Sequence, residues 1–248
     1  MSGYRQFCPV AKGAEIIATR WTALILRELM FGETSFNDIH RGVPLMSRTL
    51  LAERLRQLEQ DGIVARVVRG DTAGHDYRLT PAGDALRVVV DSIGRWGLIY
   101  GRDRIQAGDR DASVLMWALR RRVDRTLLPR RRAVVRFQLS GVPRSRRGVR
   151  QYWLVLERSG VDVCQKDPGF PVDVTVSGDV AKLIAVYLGY MSWSEATRQS
   201  LRLEGDREVS RNLGAWLRLD LVVGRDLPVV PPAAMVSRRR GTASAAAG

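Results

Sequence analysis

One run of residues limits the fold more than any other. Between residues 47 and 104 a serine-led amphipathic helix, a short hairpin and a Thr-Pro helix start follow one another without a gap. Ser47 can cap a helix from Arg48 to about Gln60, and Gly62 ends it. Leu51, Leu55 and Leu58 fall at i, i+4 and i+7, which turns one face to a core and leaves Thr49, Ala52, Glu53, Arg56 and Gln60 opposite. Two strands are expected next, Ile63–Arg69 and Tyr77–Leu79, joined by the Gly-bounded polar tip from Gly70 to Asp76. Thr80-Pro81 reads as an N-cap with Pro at the first helical position. Leu86, Val89, Val90, Ile93, Trp96 and Tyr100 then stripe a long helix to about Arg104.

Upstream, residues 9–19 read as a short helix with Pro9 in its first turn, and Trp21 to Phe31 as an apolar helix stopped by Gly32. Ser35 and Asp38 have capping-box spacing and open a short helix to about His40, closed near Gly42. Pro44-Leu45-Met46 forms a turn. Helix, helix, short helix, turn, capped helix, hairpin and long helix is the order of a winged helix-turn-helix. In that fold the capped helix enters the major groove by its N-terminal end, and the hairpin lies along the backbone or the adjacent minor groove. The candidate DNA-facing residues are Ser35, Ser47, Arg48, Thr49, Glu53 and Arg56 on the helices, with Arg69, His75 and Arg78 on the wing. Arg48 and Arg56 alone would suit any solvated helix face, so the order of elements carries the weight.

A family resemblance rests on these same residues. Cys8-Pro9-Val10, Arg20-Trp21-Thr22, Leu24-Ile25-Leu26-Arg27-Glu28-Leu29, Phe36, Asp38-Ile39, Leu50-Leu51-Ala52-Glu53-Arg54-Leu55, Leu58-Glu59, Gly62 and Tyr77-Arg78-Leu79-Thr80-Pro81-Ala82-Gly83 resemble the HxlR-type branch of the MarR-like bacterial transcription regulators over roughly residues 5–105. The resemblance implies a homodimer on a pseudo-palindromic double-stranded DNA operator. The N-terminal segment and the helix after the wing would build the dimer interface, although the Leu86–Tyr100 stripe would also suit packing within its own domain. In some relatives a cysteine at the place of Cys8 senses oxidants or electrophiles. Cys8 precedes a helix start and has Arg5 and Lys12 nearby in sequence, the setting that lowers a thiol pKa.

Charge sharpens a separate question. The chain carries 40 Lys+Arg against 26 Asp+Glu, a net of +14. Such basicity points to polyanions, nucleic acid before an anionic membrane surface. Only three of the cations are lysine, and abundant Arg, Ala, Val and Gly also fit a GC-rich coding genome. The excess is clustered, however. Residues 1–108 hold 15 basic and 12 acidic residues, residues 109–150 hold 13 and 3, and residues 151–248 hold 12 and 11. Arg120–Arg122, Arg130–Arg132 and Arg144–Arg147 supply most of it. These arginines would contact DNA flanking the operator, pair with acidic residues across the dimer, or rim the pocket mouth for an acidic ligand.

After a linker at residues 107–111, Ser113–Leu128 reads as a helix. Strand-like alternation follows at Val135, Phe137 and Leu139, at Tyr152, Leu154 and Leu156, at Val161 and Val163, and at Val172, Val174 and Val176. Val180 to Leu188 is an apolar helix, Ser192 to Glu195 has capping-box spacing, Leu201–Glu204 is a short strand and a last helix runs to about Leu217. This order predicts an α+β domain with an antiparallel sheet. Val174-Thr175-Val176-Ser177-Gly178-Asp179, Leu188-Gly189 and Leu203-Glu204-Gly205-Asp206 resemble the sterol-carrier-protein-type lipid-binding domain over about residues 112–218. The resemblance implies an apolar cavity between sheet and helices for a hydrophobic small-molecule effector. Trp153, Tyr187, Tyr190, Met191, Trp193 and Trp216 are the candidate lining, and plain core is the competing reading.

The expected architecture is therefore multidomain. A mainly α winged helix-turn-helix domain spans residues 1–108, an α+β domain 109–222 and a disordered tail 223–248. Two distant cysteines and two histidines give no disulfide framework, zinc site or His-based triad, and no GxSxG, GxxxxGK[ST] or GxGxxG motif occurs. No enzyme activity, cofactor or metal is expected. The N-terminus is too polar for a signal peptide, and the apolar stretch from Leu183 to Trp193 is too short to span a bilayer, so a cytoplasmic setting without a membrane partner is expected. The function these readings imply is a dimeric DNA-binding repressor that responds to a hydrophobic molecule. The alternative is a lipid or small-metabolite carrier that uses the winged helix only to dimerise.

Overall fold

Side-chain caps set most of the helix starts in the computed structural model, which describes residues 3–68, 74–143 and 150–219. In the first domain α1 (Pro9–Ile17) begins on Pro9, and α2 (Thr22–Met30) follows. Ser35 caps α3 (Phe36–Gly42), its Oγ accepting Asp38 N at 3.1 Å. The Asp38 carboxylate takes the Ser35 hydroxyl at 2.6 Å, so the box is closed through side chains. Ser47 Oγ accepts Leu50 N at 3.2 Å and starts α4 (Arg48–Gln60), whose Leu51, Leu55 and Leu58 are buried.

The wing is the antiparallel pair β1 (Val64–Val68) and β2 (His75–Leu79), with Val64 opposite Leu79. Tyr77 N donates to Thr34 O at 2.9 Å and Ser35 bridges Asp76, so the chain before α3 adds a third edge to the wing. The single helix expected from residue 81 is two, α5 (Pro81–Ala85) and α6 (Arg87–Tyr100), meeting at Leu86. Ile25, Leu26, Ile39, Met46, Ile63 and Val90 join the α4 leucines in one core.

The second domain begins at α7 (Ala112–Arg122), capped by Asp111. The helix expected to reach Leu128 stops at Arg122. Val123 leaves helical geometry, and Asp124 N turns instead to Trp216 O at 2.7 Å. Asp124 Oδ1 accepts Thr126 N and Oγ1 at 3.1 and 2.6 Å, a local turn that competes with helix.

The strands are β3 (Ala133–Ser140), β4 (Gln151–Leu156), β5 (Val161–Cys164), β6 (Val174–Asp179) and β7 (Leu201–Gly205). Their sheet order is β5-β4-β3-β6-β7. The expected antiparallel sheet is in fact mixed, because β3 and β6 run parallel with Val135 opposite Val174. β5 sits at one edge, so the chain must cross over β4 and β3 before laying β6 down, and that crossover makes it parallel. One sheet face carries Val135, Phe137, Leu139, Tyr152, Leu154, Leu156, Val174 and Val176. Against it pack residues of α7, α8 (Val180–Tyr187), α9 (Trp193–Gln199) and α10 (Arg207–Trp216).

Asp124 ties the end of α7 to the end of α10 through Trp216 O and through Arg218, whose Nη2 donates to its Oδ2 at 2.8 Å. The Thr126 hydroxyl first, then Arg218, hold its carboxyl down from its ordinary 3.8 to about 2. A depressed acid binds fewer protons in the folded state, so its stabilisation is complete above 3.8 and is lost as pH falls towards about 2. Urea midpoints measured from pH 6 downwards should fall through that window in the native chain. Asp124→Asn should flatten the fall, and equal slopes would reject this role.

Candidate nucleic-acid interface and interdomain cleft

The buried leucine face of α4 fixes what the other face can do. Arg48, Thr49, Glu53 and Arg56 are all exposed on it. Arg48 is held in place, its Nη2 donating to Asn37 Oδ1 at 2.9 Å and its guanidinium lying 4.8 Å from the Phe36 ring centre. The sequence reading missed Asn37, which joins Arg48 across the helix-turn-helix. Ser35 and Ser47 are engaged as caps, so each serves by aiming a helix N-terminus. On the wing His75 and Arg78 are exposed, and Arg66, also missed, donates through Nη2 to His75 Nδ1 at 3.1 Å. Arg69 lies outside the described residues, as do Arg144–Arg147 and the expected tail. The arrangement offers a capped helix end, a polar helix face and a basic wing.

Cys8 stands half-buried at the N-cap position of α1. The Lys12 ammonium is paired with Glu15 at 3.1 Å. Cys164 is also free, and burial pushes its thiol up.

The first arginine cluster is structural. Glu28 on α2 is fully buried and accepts Arg27 Nε and Nη2 at 2.9 and 2.7 Å, Trp117 Nε1 at 3.2 Å, and Arg121 Nη1. Glu33 accepts Arg120 Nη1 at 2.7 Å, and Arg120 Nε reaches on to Val161 O at 2.9 Å. Burial raises the Glu33 carboxyl against the pull of Arg120. Arg122 Nη1 donates to Tyr187 O at 2.6 Å. Arg120 and Arg121 therefore clamp the second domain to Glu33 and to Glu28 of α2, while Arg122 ties α7 to α8 of its own domain. The second cluster is also engaged: Arg131 pairs with Asp173 at 2.6 Å, and Arg132 pairs with Glu157 and covers the Phe170 ring at 3.7 Å. The clue in sequence was Glu28 inside a mostly apolar helix, where a buried carboxylate needs partners.

The six expected ligand-lining residues do not converge. Trp193 and Trp216 are 8% and 5% exposed and belong to the core, with Met191 packed against it. Trp153 points to the other sheet face, opposite Arg136 and Cys164 in the ladders. Tyr190 borders a recess of about 180 Å³ and donates its hydroxyl to Leu98 O at 2.6 Å. Among the described residues, one buried cluster of side chains joins the sheet to the helices where a cavity was expected.

Tyr187 instead lines a cleft of about 310 Å³ between the domains. Trp21, Leu24, Val43, Pro44 and Leu45 form one wall, and Val114, Ala118, Ile184 and Leu188 form the other with Tyr187. Trp21 holds φ +76°, a left-handed conformation that strains a bulky residue, with the Arg20 guanidinium 5.2 Å from its ring centre. Gly42 at the cleft floor abuts the Glu28 carboxylate, where an added Cβ would lie 2.0 Å from Cδ.

Comparison with known proteins bears on the first domain. The family model described as HxlR-like helix-turn-helix matches residues 16–104. The uncharacterized HTH-type transcriptional regulator YvaP of Bacillus subtilis is 37% identical over 93 residues, which are 37% of this chain and 86% of that protein. The HTH-type transcriptional regulator YodB of the same organism is 38% identical over 91 residues, 36% of this chain and 81% of that one. The solved reduced form of YodB is similar at a TM-score of 0.35 and 35% identity, covering 40% of this chain and 98% of that one. Through its first domain, the chain belongs to the HxlR-like helix-turn-helix family.

Proposed function

We propose that the chain is a sequence-specific, double-stranded-DNA-binding repressor that acts as a homodimer and answers to a hydrophobic small molecule through its second domain. The observation that carries the DNA reading is the serine-capped α4, which presents Thr49, Glu53 and Arg56 to solvent beside a basic wing. The dimer reading rests on apolar side chains one chain leaves uncovered. On α6 these are Val88, Ile93, Trp96, Ile99 and Tyr100, and before α1 Phe7 is 99% exposed. Uncovered apolar side chains of this kind suit a second copy. The repressor assignment rests on the resemblance to a family whose members commonly block promoters. The effector reading rests on the run β6, α8, α9, β7, α10, the order on which the resemblance to sterol-carrier domains stands.

Selection of bound duplexes from a random pool tests this reading. An enriched, inverted-repeat sequence at physiological salt is expected, and its absence would overturn the proposal. Arg56→Ala should weaken the selected site by about 1–3 kcal/mol and relax one base position. Equal weakening on selected and random DNA would make Arg56 a phosphate contact. As a control, Arg131→Ala with Arg132→Ala should leave the slope of log affinity against log salt unchanged, since both are committed to internal ion pairs. A substitution that removed one phosphate neutralisation would lower that slope by about 0.9.

A further inference from the structure

We propose that the effector site is the cleft between the two domains and that it takes a neutral, largely apolar small molecule. This inference rests on the reading of the chain as an effector-responsive regulator. The cleft, about 310 Å³, is near the lower end of small-molecule sites. Leu24, Val43 and Leu45 face Val114, Ile184 and Tyr187 across it. The charged groups along it already have partners. Arg27 serves Glu28 and Gly42 O, Asp109 accepts Gln106 N at 2.8 Å, and Asp111 caps α7. Arg27 is already paired with Glu28, so an anionic headgroup would find no uncommitted cation among these, and the apolar walls favour a neutral molecule.

The cleft also has a short route to α4. Val43 and Leu45 belong to the turn that ends at Met46, immediately before the cap Ser47. Met46 N donates to Val43 O at 2.9 Å, and His40 Nε2 donates to Met46 O at 2.9 Å, so the turn is closed and braced. A molecule seated between Ile184, Tyr187 and this turn bears on the backbone that sets the first turn of the recognition helix. Occupancy and operator affinity are then coupled, and reciprocally so.

The test uses the full chain, the operator selected above and N-phenyl-1-naphthylamine, a neutral apolar fluorophore. Saturable fluorescence is expected, and saturation should shift operator affinity by roughly 5–150-fold. Leu24→Trp narrows the cleft from its partly exposed wall, and Ala118→Phe fills it from the buried one. Each should weaken the probe by about tenfold or more and shrink the ratio of operator affinities measured with and without probe. Thermal melts verify that each variant is folded, and Leu24→Trp suffices should Ala118→Phe not be. Native probe affinity and an undiminished ratio in folded Leu24→Trp would overturn the cleft and leave the effector reading standing. No saturable binding to the native chain would also overturn the cleft. Operator affinity that no apolar cell extract shifts would overturn the effector reading itself.

Discussion

Replacing Glu28 with alanine is expected to destabilise the chain by about 3–5 kcal/mol, the usual penalty for removing one partner of a buried ion pair, and to split its unfolding into two transitions. Glu28 is fully buried, and Arg121, whose side chain is only 10% exposed, relies on it. Alanine would leave that guanidinium and the Trp117 indole N–H without their acceptor. Glu28→Gln keeps the volume and an acceptor for Trp117 but removes the negative charge, so it should fall between native and alanine. The bonds that Glu28 gathers join α2 of one core to α7 of the other. Breaking them should let the domains melt separately, which calorimetry reports as a van't Hoff enthalpy below the calorimetric one. Gly42→Ala should act similarly, because its Cβ would displace the Glu28 carboxylate. A single transition at the native midpoint in Glu28→Ala would reject the clamp.

Trp193→Ala should lose about 3–5 kcal/mol, the range for removing a large buried aromatic side chain. Trp193 opens α9, and its ring lies on the backbone of α10. At Gly214 an added Cβ would stand 2.3 Å from Trp193 Cδ1. Gly214→Ala should therefore destabilise at the same place, by forcing the ring off its seat. Urea unfolding followed by circular dichroism measures both. A Trp193 that lined a cavity in the ligand-free chain would behave differently. Its removal would change stability by well under 1 kcal/mol, as surface changes do, and would lower probe affinity.

The first domain was legible because its signals are local. Ser35, Ser47, Thr80 and the glycines at 32 and 62 each act within one helical turn, and their offsets appear directly in sequence. The outward face of α4 followed from three leucines at helical spacing. What was not legible depends on pairing across long distances. The alternation at residues 174–176 marked a strand but not which neighbour it would take, so its parallel match to β3 was missed. Trp193 and Trp216 had the residue type of a binding pocket, yet only the packing of α9 and α10 decided that they are core. For Arg120–Arg122 the sequence left flanking DNA, acidic partners across the dimer and a pocket rim all open, because Glu28 and Glu33, roughly ninety residues earlier in the same chain, were not visible as partners. Tyr187 reached a cleft, but one with half its wall from the other domain.

The hydrogen bond from Tyr190 to Leu98 O has a consequence for dilution. Leu98 lies on α6 among Trp96, Ile99 and Tyr100, the side chains assigned to the second copy. Arg102 covers the Tyr190 ring at 4.8 Å and Arg104 the Trp96 ring at 5.7 Å, so the two contacts share one short stretch of chain. In the proposed dimer, a partner that grips α6 would therefore also steady this contact between α6 and the second domain. In that dimer, mass action would make the tightness of the contact a function of protein concentration. If that dimer forms, a cell that makes few copies would hold a looser molecule than one that makes many, with no change in sequence.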